Sequence, residues 1–155
     1  MRQINVDMVK MYDDVVVPKY ETEGSAGCDV RAYLRSPENQ EREFITLGAG
    51  DRGMMVSTGI KVAIPRGYYM AVVPRSGMAV KTTMRIANQP GTVDSDYRNE
   101  VKIIVDNIGD RDLVINHQDR IAQFVFLPYY QAGFTIVENL RETKRTGGFG
   151  STGTN

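Results

Sequence analysis

Short stretches in which apolar and polar side chains alternate recur along most of the chain, and they constrain the fold more than any other feature. In the stretch 28–33, Cys28, Val30 and Ala32 would share one face of a strand, and Asp29 and Arg31 would share the other. Such a period of two residues is typical of a β-strand with one buried face. Similar stretches, rich in Val, Ile, Tyr and Phe, predict further strands within 54–65, 68–74, 100–107, 112–116, 120–128 and 134–138.

Helical periodicity is nearly absent. The one candidate is a single helical turn, SGMAVKT at residues 76–82, directly after the strand that ends at Pro74. Many short strands without intervening helices are typical of a β-sandwich, a barrel or a jelly roll. The sequence therefore predicts an all-β, barrel-like sandwich or jelly roll, with a solvated polar loop around residues 35–43.

Composition narrows the functional classes. The chain has 155 residues, which suits one domain with a substantial core, and no repeat or linker divides it. Basic and acidic residues number 19 each, so no overall field attracts nucleic acid or a membrane surface. We therefore expect no stable nucleic-acid binding and no membrane association, and any anion site must be local.

The cysteine and the N-terminal stretch bear on the compartment. No apolar signal-peptide core and no run as long as a membrane span is visible. A single cysteine, Cys28, excludes a disulfide framework within the chain and suits a reducing compartment. We expect a cytoplasmic protein, or one of the host cytoplasm if the chain is viral. Cys28 itself is interpreted as a small core residue.

The lone histidine limits the chemistry. His117 lies in the polar run INHQDR, and we interpret it as a solvated loop residue. A metal site built on histidines or a catalytic triad built on histidine is excluded on this count. Chemistry in this chain must then use carboxylates, amides, arginines and hydroxyl groups.

The stretch VVPRSGMAVK combines a strand end with a helix start. Free backbone N–H groups at such a point suit a phosphate, and Arg75 and Ser76 add a charged fork and a hydroxyl. The alternative is a simple N-cap beside a surface arginine.

Residues 85–103 predict a hairpin with a wide, turn-rich loop. The amide of Asn88 and free backbone groups could read the edge of a base, and a buried Asp94 could deprotonate a water. Tyr97 could pack against a sugar. An ordinary Asx-rich turn with solvated charges is the alternative.

Three further features are ambiguous alone. Gln123 follows apolar residues in DRIAQ, where burying an amide requires a partner. The alternative there is simple strand alternation, with Arg120 solvated and Ile121 in the core. Asp29 lies on the outward face of its strand, where a solvated carboxylate is the alternative. The glycine-rich end RTGGFGSTGTN carries a single aromatic residue, Phe149, and a frayed terminus is the alternative there.

Five stretches in a fixed order carry a resemblance. They are AGCDVRA, VPRSGMA, GTVDSDYR, DRIAQ and GGFGSTG. In sequence and spacing they resemble the five motifs of the trimeric deoxyuridine triphosphatases, the dUTPases, over nearly the whole chain. The resemblance implies a distorted jelly-roll homotrimer whose three active sites each draw on all three chains. It also implies a domain at 1–143 and a flexible arm at 144–155 that completes the site.

The same resemblance implies the reaction and the roles of its residues. dUTP would be hydrolysed to dUMP and pyrophosphate by Mg²⁺-assisted attack of water on the α-phosphate, which limits uracil in DNA and supplies dUMP for thymidylate synthesis. Asp94 would bind the 3′-hydroxyl and act as base, with Gln123 and Arg75 as further catalytic residues. Asp29 would hold Mg²⁺ through water, and Tyr97 would exclude a 2′-hydroxyl.

The remaining substrate contacts implied by the resemblance fall in three places. The phosphates would meet Arg75, Ser76 and Gly77. Uracil and sugar would meet the hairpin residues Asn88, Gly91, Thr92, Val93 and Lys102. The arm would contribute Arg145, Phe149, Gly150, Ser151 and Thr152, with Phe149 over the base.

The sequence departs from the family pattern at three points. Cys28 replaces a larger apolar residue, and Pro90 and Thr92 are less usual hairpin residues. Lys144 stands where the arm usually has its arginine, and Arg145 is one residue closer to the aromatic residue. We favour Arg145 as the phosphate ligand, because a guanidinium fits phosphate better than a point charge.

Two alternatives stay open from the residues. A deoxycytidine triphosphate deaminase shares the fold, but it places a Pro-Gly pair after the hairpin aspartate, where this chain has VDSDYR. A nucleotide-sensing or partner-binding module could also keep the fold, with the loop at 35–43 as a partner site.

Overall fold

A computed structural model describes residues 3–144, and in that range the chain forms eleven strands and one short helix. The strands are β1 Asp7–Lys10, β2 Cys28–Arg31, β3 Phe44–Leu47, β4 Met54–Ser57, β5 Ile60–Ala63, β6 Tyr68–Val73, β7 Met84–Ile86, β8 Gly91–Val93, β9 Lys102–Asn107, β10 Leu113–Asn116 and β11 Arg120–Pro128. The helix α1 is Ser76–Lys81, between β6 and β7. The predicted all-β class and the predicted helical turn are confirmed.

The strands pair antiparallel in four sheets. Their orders are β1–β5, β10–β3, β4–β9–β7 and β2–β11–β6–β8. The four-stranded sheet matters most for function, because it places β11 between β2 and β6. In that sheet Gln123 of β11 lies opposite Asp29 of β2 on one side and Val73 of β6 on the other.

The core lies where the alternation predicts it. Val30, Ala32 and Phe124 are buried together with Cys28, which confirms the interpretation of Cys28 as a core residue. Burying a large apolar side chain such as that of Val30 or Phe124 stabilises the fold by about 1.5–3 kcal/mol. The core is therefore held mainly by the inward faces of the strands.

The predicted strand at 134–138 is wrong, since the structure assigns no strand there. Phe134 and Ile136 are 94% and 99% exposed. The alternation is that of a strand, but a strand also needs a neighbour for its backbone N–H and C=O groups. No other described segment of this chain pairs with it.

The predicted loop at 35–43 is confirmed, with a single bridge between Ser36 and Asn39. No helix within residues 3–144 is long and apolar enough to cross a membrane.

His117 is a second correction, because its side chain is only 6% exposed. The backbone N–H of Leu34 donates to its Nδ1 atom at 3.2 Å, and the Tyr33 ring meets it edge-on with centroids 5.0 Å apart. The polar sequence around His117 suggested solvent. In the structure, His117 belongs to a turn at 116–119 in which Gln118 has a φ of 68°, and the imidazole ring of His117 faces inward.

The buried imidazole predicts a loss of stability in acid. Burial, followed by the charge of Arg35, lowers the pKa of His117 below its ordinary value of 6.5. The unfolded chain therefore takes up a proton below about pH 6.5 that the folded chain resists, so the free energy of unfolding falls as pH falls through this range. Protonation would also remove the acceptor of the Leu34 N–H group.

This effect is measurable because the chain has one histidine. We expect the Tm of the protein to decrease between pH 7.5 and pH 5.5, whereas that of His117→Asn, which offers a similarly placed acceptor that does not titrate, decreases less. Thermal unfolding of both proteins across the range decides the point. An equal decrease in Tm with pH for the two proteins would contradict the role of His117.

Candidate functional site

Asp29 is the centre of a polar cluster on the four-stranded sheet. Its side chain is 7% exposed, so the alternative of a solvated strand carboxylate is wrong. Arg75 Nε donates to Oδ1 at 2.9 Å, Gln123 Nε2 donates to Oδ1 at 3.1 Å, and Arg120 Nη1 donates to Oδ2 at 3.1 Å. Three residues predicted from separate motifs, Asp29, Arg75 and Gln123, are thus brought together.

Gly27 makes room for this arrangement. A Cβ atom at this position would lie 3.3 Å from the Cβ of Gln123, which is tighter than an ordinary contact. The small residues before β2 therefore let the Gln123 side chain lie beside Asp29.

Arg120 is the member of the cluster that sequence reasoning missed. Residues three apart on a regular strand point to opposite faces, so Arg120 and Gln123 could not both reach one carboxylate. A register shift between Arg120 and Ala122 changes this, because an irregularity of this kind alters which side chains share a face. A bulge gives little sequence signal, and the DRIAQ stretch offered none.

The start of α1 adjoins this cluster. Arg75 is the N-cap residue, and no side chain caps the helix, so Ser76 does not serve the capping role considered for it. Ser76 and Gly77 are exposed. Six residues give a helix little dipole, so attraction of an anion here depends mainly on the guanidinium of Arg75.

The second group of predicted residues lines a cavity of about 210 Å³. Seven hairpin residues named from the sequence are part of its wall: Asn88, Gly91, Thr92, Val93, Asp94, Tyr97 and Lys102. Val72, Val101 and Ile104 add apolar surface. An open pocket that combines apolar surface with an amide, a carboxylate and an aromatic ring suits a small polar ligand with a flat ring.

The hairpin that builds this cavity is only partly as predicted. Its ends, β7 and β9, do pair, but its middle forms the separate strand β8, which pairs with β6. A Cβ atom at Gly91 would lie 3.2 Å from the Val72 Cβ and 3.3 Å from the Asn88 amide nitrogen. Glycine at this position therefore leaves space for the Asn88 amide. The Gln89–Pro90 peptide bond in the same turn is cis.

Asp94 was predicted as a buried carboxylate, and this is wrong for the single chain. It is exposed just after β8, where its carbonyl accepts a hydrogen bond from the Tyr97 N–H group at 3.2 Å. The cavity is open to solvent on this side, since nothing else in the described chain covers it. Asp94 is therefore available to a ligand rather than enclosed.

The Asp29 cluster and part of the cavity wall lie on opposite faces of one sheet, whereas Thr92, which lies opposite Ala71, points to the same face as Gln123. Val72 lies opposite Gly91 and Phe124, whereas the next residue, Val73, lies opposite Gln123. Successive residues of a strand point to opposite faces. The Asp29 cluster therefore lies on the face away from Val72 and Gly91.

A metal site built from several protein ligands is absent from residues 3–144, where no three His, Cys, Asp or Glu side chains cluster. At Asp29, Oδ1 accepts two hydrogen bonds and Oδ2 accepts one. Because each oxygen has about two acceptor positions, Oδ2 keeps one for a water molecule. The residues present thus fit a metal ion held through water, and not a direct carboxylate cage.

The arm residues Arg145, Phe149, Gly150, Ser151 and Thr152 lie outside the described range. The described range ends at Lys144.

Comparison with solved structures supports the fold. The dUTPase of Staphylococcus bacteriophage 80alpha, with dUPNHPP, is similar with a TM-score of 0.82 at 22% identity, covering 97% of this chain and 99% of that one. A mutant dUTPase from phage phi11 of S. aureus, whose structure concerns a structural Mg(II) ion, gives a TM-score of 0.74 at 20% identity, covering 88% and 98%. The predicted jelly-roll class is confirmed.

Comparison of sequences finds relatives with higher identity than these solved structures. The deoxyuridine 5′-triphosphate nucleotidohydrolase of Fusobacterium nucleatum subsp. nucleatum is 47% identical over 154 residues, covering 99% of both chains. That of Bdellovibrio bacteriovorus is 46% identical over 138 residues, which are 88% of this chain and 87% of that protein. A family model described as dUTPase matches residues 13–153. With a family model and close relatives matching along nearly its whole length, the chain belongs to the dUTPase family.

Proposed function

We propose that this protein hydrolyses dUTP to dUMP and pyrophosphate, and that it thereby limits uracil in DNA and supplies dUMP for thymidylate synthesis. The observation that carries the proposal is the cavity on the hairpin, in which the predicted uracil and sugar residues are assembled. Family membership supports the same activity.

The hairpin would bind uracil by hydrogen bonds. The Asn88 amide and backbone groups around Gly91 and Val93 offer both donors and acceptors at the cavity wall. Cytosine presents an amino group where uracil presents a carbonyl, so a donor that suits uracil would face a donor of cytosine. Thymine carries an extra methyl group, which a close-fitting wall can exclude.

Asp94 and Tyr97 would handle the sugar and the water. Asp94 is exposed to the cavity, and its carboxylate can take a proton from a water molecule. The water oxygen bonds to the α-phosphorus, the bond from that phosphorus to the bridging oxygen breaks, and pyrophosphate leaves. Tyr97 would pack against the deoxyribose and leave no space for a 2′-hydroxyl.

The Asp29 cluster would hold the phosphates. Arg75 is fixed at its Nε atom by Asp29, which leaves its terminal nitrogen atoms available to phosphate oxygens. One of them makes only a long contact, 3.4 Å, to the Arg120 carbonyl. The hydroxyl of Ser76 and the backbone of Gly77 are exposed beside it. Gln123 would contact the α-phosphate or the attacking water.

Mg²⁺ would be held mainly by the triphosphate and by water, with Asp29 contacting a bound water through Oδ2. This ion favours oxygen ligands and keeps several waters, so one nearby carboxylate is a sufficient protein contribution. Bound in this way, the ion would neutralise charge on the phosphate oxygens.

We propose that the two groups meet between chains. Val72 and Gly91 of the cavity wall point away from the face of the Asp29 cluster, so a single nucleotide could reach the cavity of one chain and the Asp29 cluster of another. The exposed Phe134 and Ile136 also offer strand-like apolar surface to a neighbour. We therefore propose a homotrimer with shared active sites.

The end of the chain would act as a lid. Phe149 over the uracil face would contribute about 1–3 kcal/mol, the range of base–aromatic stacking. Arg145, Ser151, Thr152 and the glycine amides would bind phosphate oxygens, and closure would exclude water. Ordering a glycine-rich segment is costly in entropy, so these contacts are needed to close it.

A chain that ends at Thr143 is therefore expected to stay a folded trimer and to lose most of its kcat/KM for dUTP. Phe149→Ala should reproduce part of the loss, since stacking alone is removed. Molar mass by size exclusion with light scattering, and steady-state kinetics, would be measured for both. Full activity in the truncated chain would assign the segment to a frayed terminus.

One assay tests the proposed activity itself. The protein is incubated with Mg²⁺ and, separately, with dUTP, dCTP, dTTP and UTP, and the products are separated by ion-exchange chromatography. We expect dUMP and pyrophosphate from dUTP, and little turnover of the others. Ammonia from dCTP, or orthophosphate as the primary product of dUTP, would contradict the proposal.

A further inference from the structure

A carboxylate outside the recognised site residues fastens the loop that carries Tyr97. Glu100 lies at the end of this loop, after β8 and just before β9, and its side chain is only 15% exposed. Its Oε1 atom accepts a hydrogen bond from the backbone N–H of Gly59 at 2.8 Å. Gly59 belongs to the turn between β4 and β5, so this bond ties two segments that are far apart in sequence.

The same residue also holds the Tyr97 side chain directly. The Tyr97 hydroxyl donates to the backbone carbonyl of Glu100 at 2.9 Å. A shift of Glu100 would therefore move the anchor of the aromatic ring. Since Tyr97 lines the hairpin cavity, the shift would be felt where a sugar would bind.

The turn that receives Glu100 is held by close packing and by hydrogen bonds. Gly59 has a φ of 69°, and a Cβ atom there would lie 2.6 Å from the Val15 side chain, so glycine is required. Beside it, the buried Thr58 hydroxyl donates to the Val101 carbonyl at 2.6 Å, and the Val101 N–H donates to the Ile60 carbonyl at 2.8 Å. The loop end is thus fixed against a turn that has little freedom to follow it.

We propose that Glu100 is a positioning residue for Tyr97 and thereby sets the preference of this protein for a deoxyribose over a ribose. The proposal rests on the proposed function, because it deepens the role given there to Tyr97. The Gly59 N–H group needs an acceptor at the right distance, and a negative charge is not essential to that bond. Reach, and not charge, is then the property of Glu100 that matters.

The alternative role for Glu100 is electrostatic. Lys102 Nζ lies 3.9 Å from Oε2, and Lys102 lines the same cavity. Because Lys102 is 44% exposed and the two charges are 3.9 Å apart, this pair contributes little. Two conservative substitutions separate the two roles, since Glu100→Asp keeps the charge and loses reach, whereas Glu100→Gln loses the charge and keeps an acceptor at the same distance.

Glu100→Asp and Glu100→Gln are expected to differ in their effect on sugar preference. In Glu100→Asp the carboxylate is withdrawn by roughly 1.5 Å, one carbon–carbon bond, and no longer reaches Gly59. The ratio of kcat/KM for dUTP to that for UTP should fall about two- to tenfold, the factor that one ordinary hydrogen bond contributes. Glu100→Gln should keep a ratio close to that of the unaltered protein.

Two reference variants complete the experiment. Tyr97→Ala removes the ring and marks the full loss of sugar preference, and Glu41→Asp repeats the substitution at an exposed residue of the 35–43 loop and should change nothing. An unchanged ratio in Glu100→Asp, or a loss in Glu100→Gln as large as in Glu100→Asp, would overturn the proposal. A loss confined to Glu100→Asp supports it.

Hydrogen exchange gives a readout that does not depend on turnover. The amides of Gly59 and Val101 should exchange faster in Glu100→Asp than in Glu100→Gln, while those of β2 and β11 stay protected. If the unaltered protein fails to hydrolyse dUTP, the proposed function fails and this measurement still decides whether Glu100 fastens the loop. If exchange at Gly59 and Val101 is the same in both variants, the positioning role is overturned even in an active enzyme.

Discussion

Asp94→Asn is expected to lower kcat for dUTP roughly 10²- to 10⁴-fold, the contribution typical of a general base. Asparagine has nearly the same shape as aspartate and can still accept a hydrogen bond from a sugar hydroxyl, but its amide does not take a proton from water. Asp94 is exposed to the cavity in the single chain, so the substitution leaves no buried group unpaired. Fold and nucleotide affinity should therefore be largely retained.

The measurement separates binding from chemistry. Steady-state kinetics gives kcat, and titration with a non-hydrolysable dUTP analogue gives the affinity. Asp110→Asn, an identical substitution in the exposed turn before β10, serves as a control and should keep full activity. Near-normal kcat in Asp94→Asn would reduce Asp94 to a turn residue and would require a different base.

Elements that depend on local pattern could be predicted from the sequence. The strand around Val30 follows from alternation, and the helical turn at Ser76–Lys81 follows from the strand that stops at Pro74. The grouping of the hairpin residues in the cavity wall also follows, because they are close in sequence and a turn-rich loop keeps them together, although the pairing of β8 with β6 does not. These features need no knowledge of distant partners.

Features that depend on distant partners could not be predicted in this way. Arg120 joins Asp29 only because a register shift in β11 changes the face of its side chain. His117 is buried because it packs against Tyr33, which lies far away in sequence. Glu100 gave no signal, since the group it binds is a backbone N–H of another turn. In each case the contact depends on tertiary structure that the local pattern does not contain.

The stretch 134–138 shows that a local pattern can also predict an element that the single chain does not form. Its alternation is correct for a strand, yet the described part of this chain offers no partner for its backbone. A pattern reports which residues a segment can bury, and it does not report which chain supplies the surface. The homotrimer proposed above would supply such a surface from a neighbouring subunit.

Asp29→Asn is expected to lower kcat/KM for dUTP on the order of 100-fold, which corresponds to about 2.7 kcal/mol. The carboxylate accepts hydrogen bonds from Arg75, Arg120 and Gln123. Asparagine has one acceptor oxygen and an NH₂ group that would face donors, so at least one guanidinium loses its partner. Breaking a largely buried ion pair from one side is costly for this reason, although the partial exposure of both arginines reduces the effect.

The Mg²⁺ dependence of this variant tells the two roles of Asp29 apart. If Asp29 acts mainly by fixing Arg75, the activity of Asp29→Asn stays low at saturating Mg²⁺, because the ion does not restore the position of the guanidinium. That is the result we expect, with Asp106→Asn as the control, since Asp106 also pairs with an arginine, Arg52, outside the site. Full recovery at high Mg²⁺ would assign Asp29 to the metal alone. Higher activity in Asp29→Asn would mean that the carboxylate restrains Arg75 from the phosphates, and the phosphate site proposed here would be wrong.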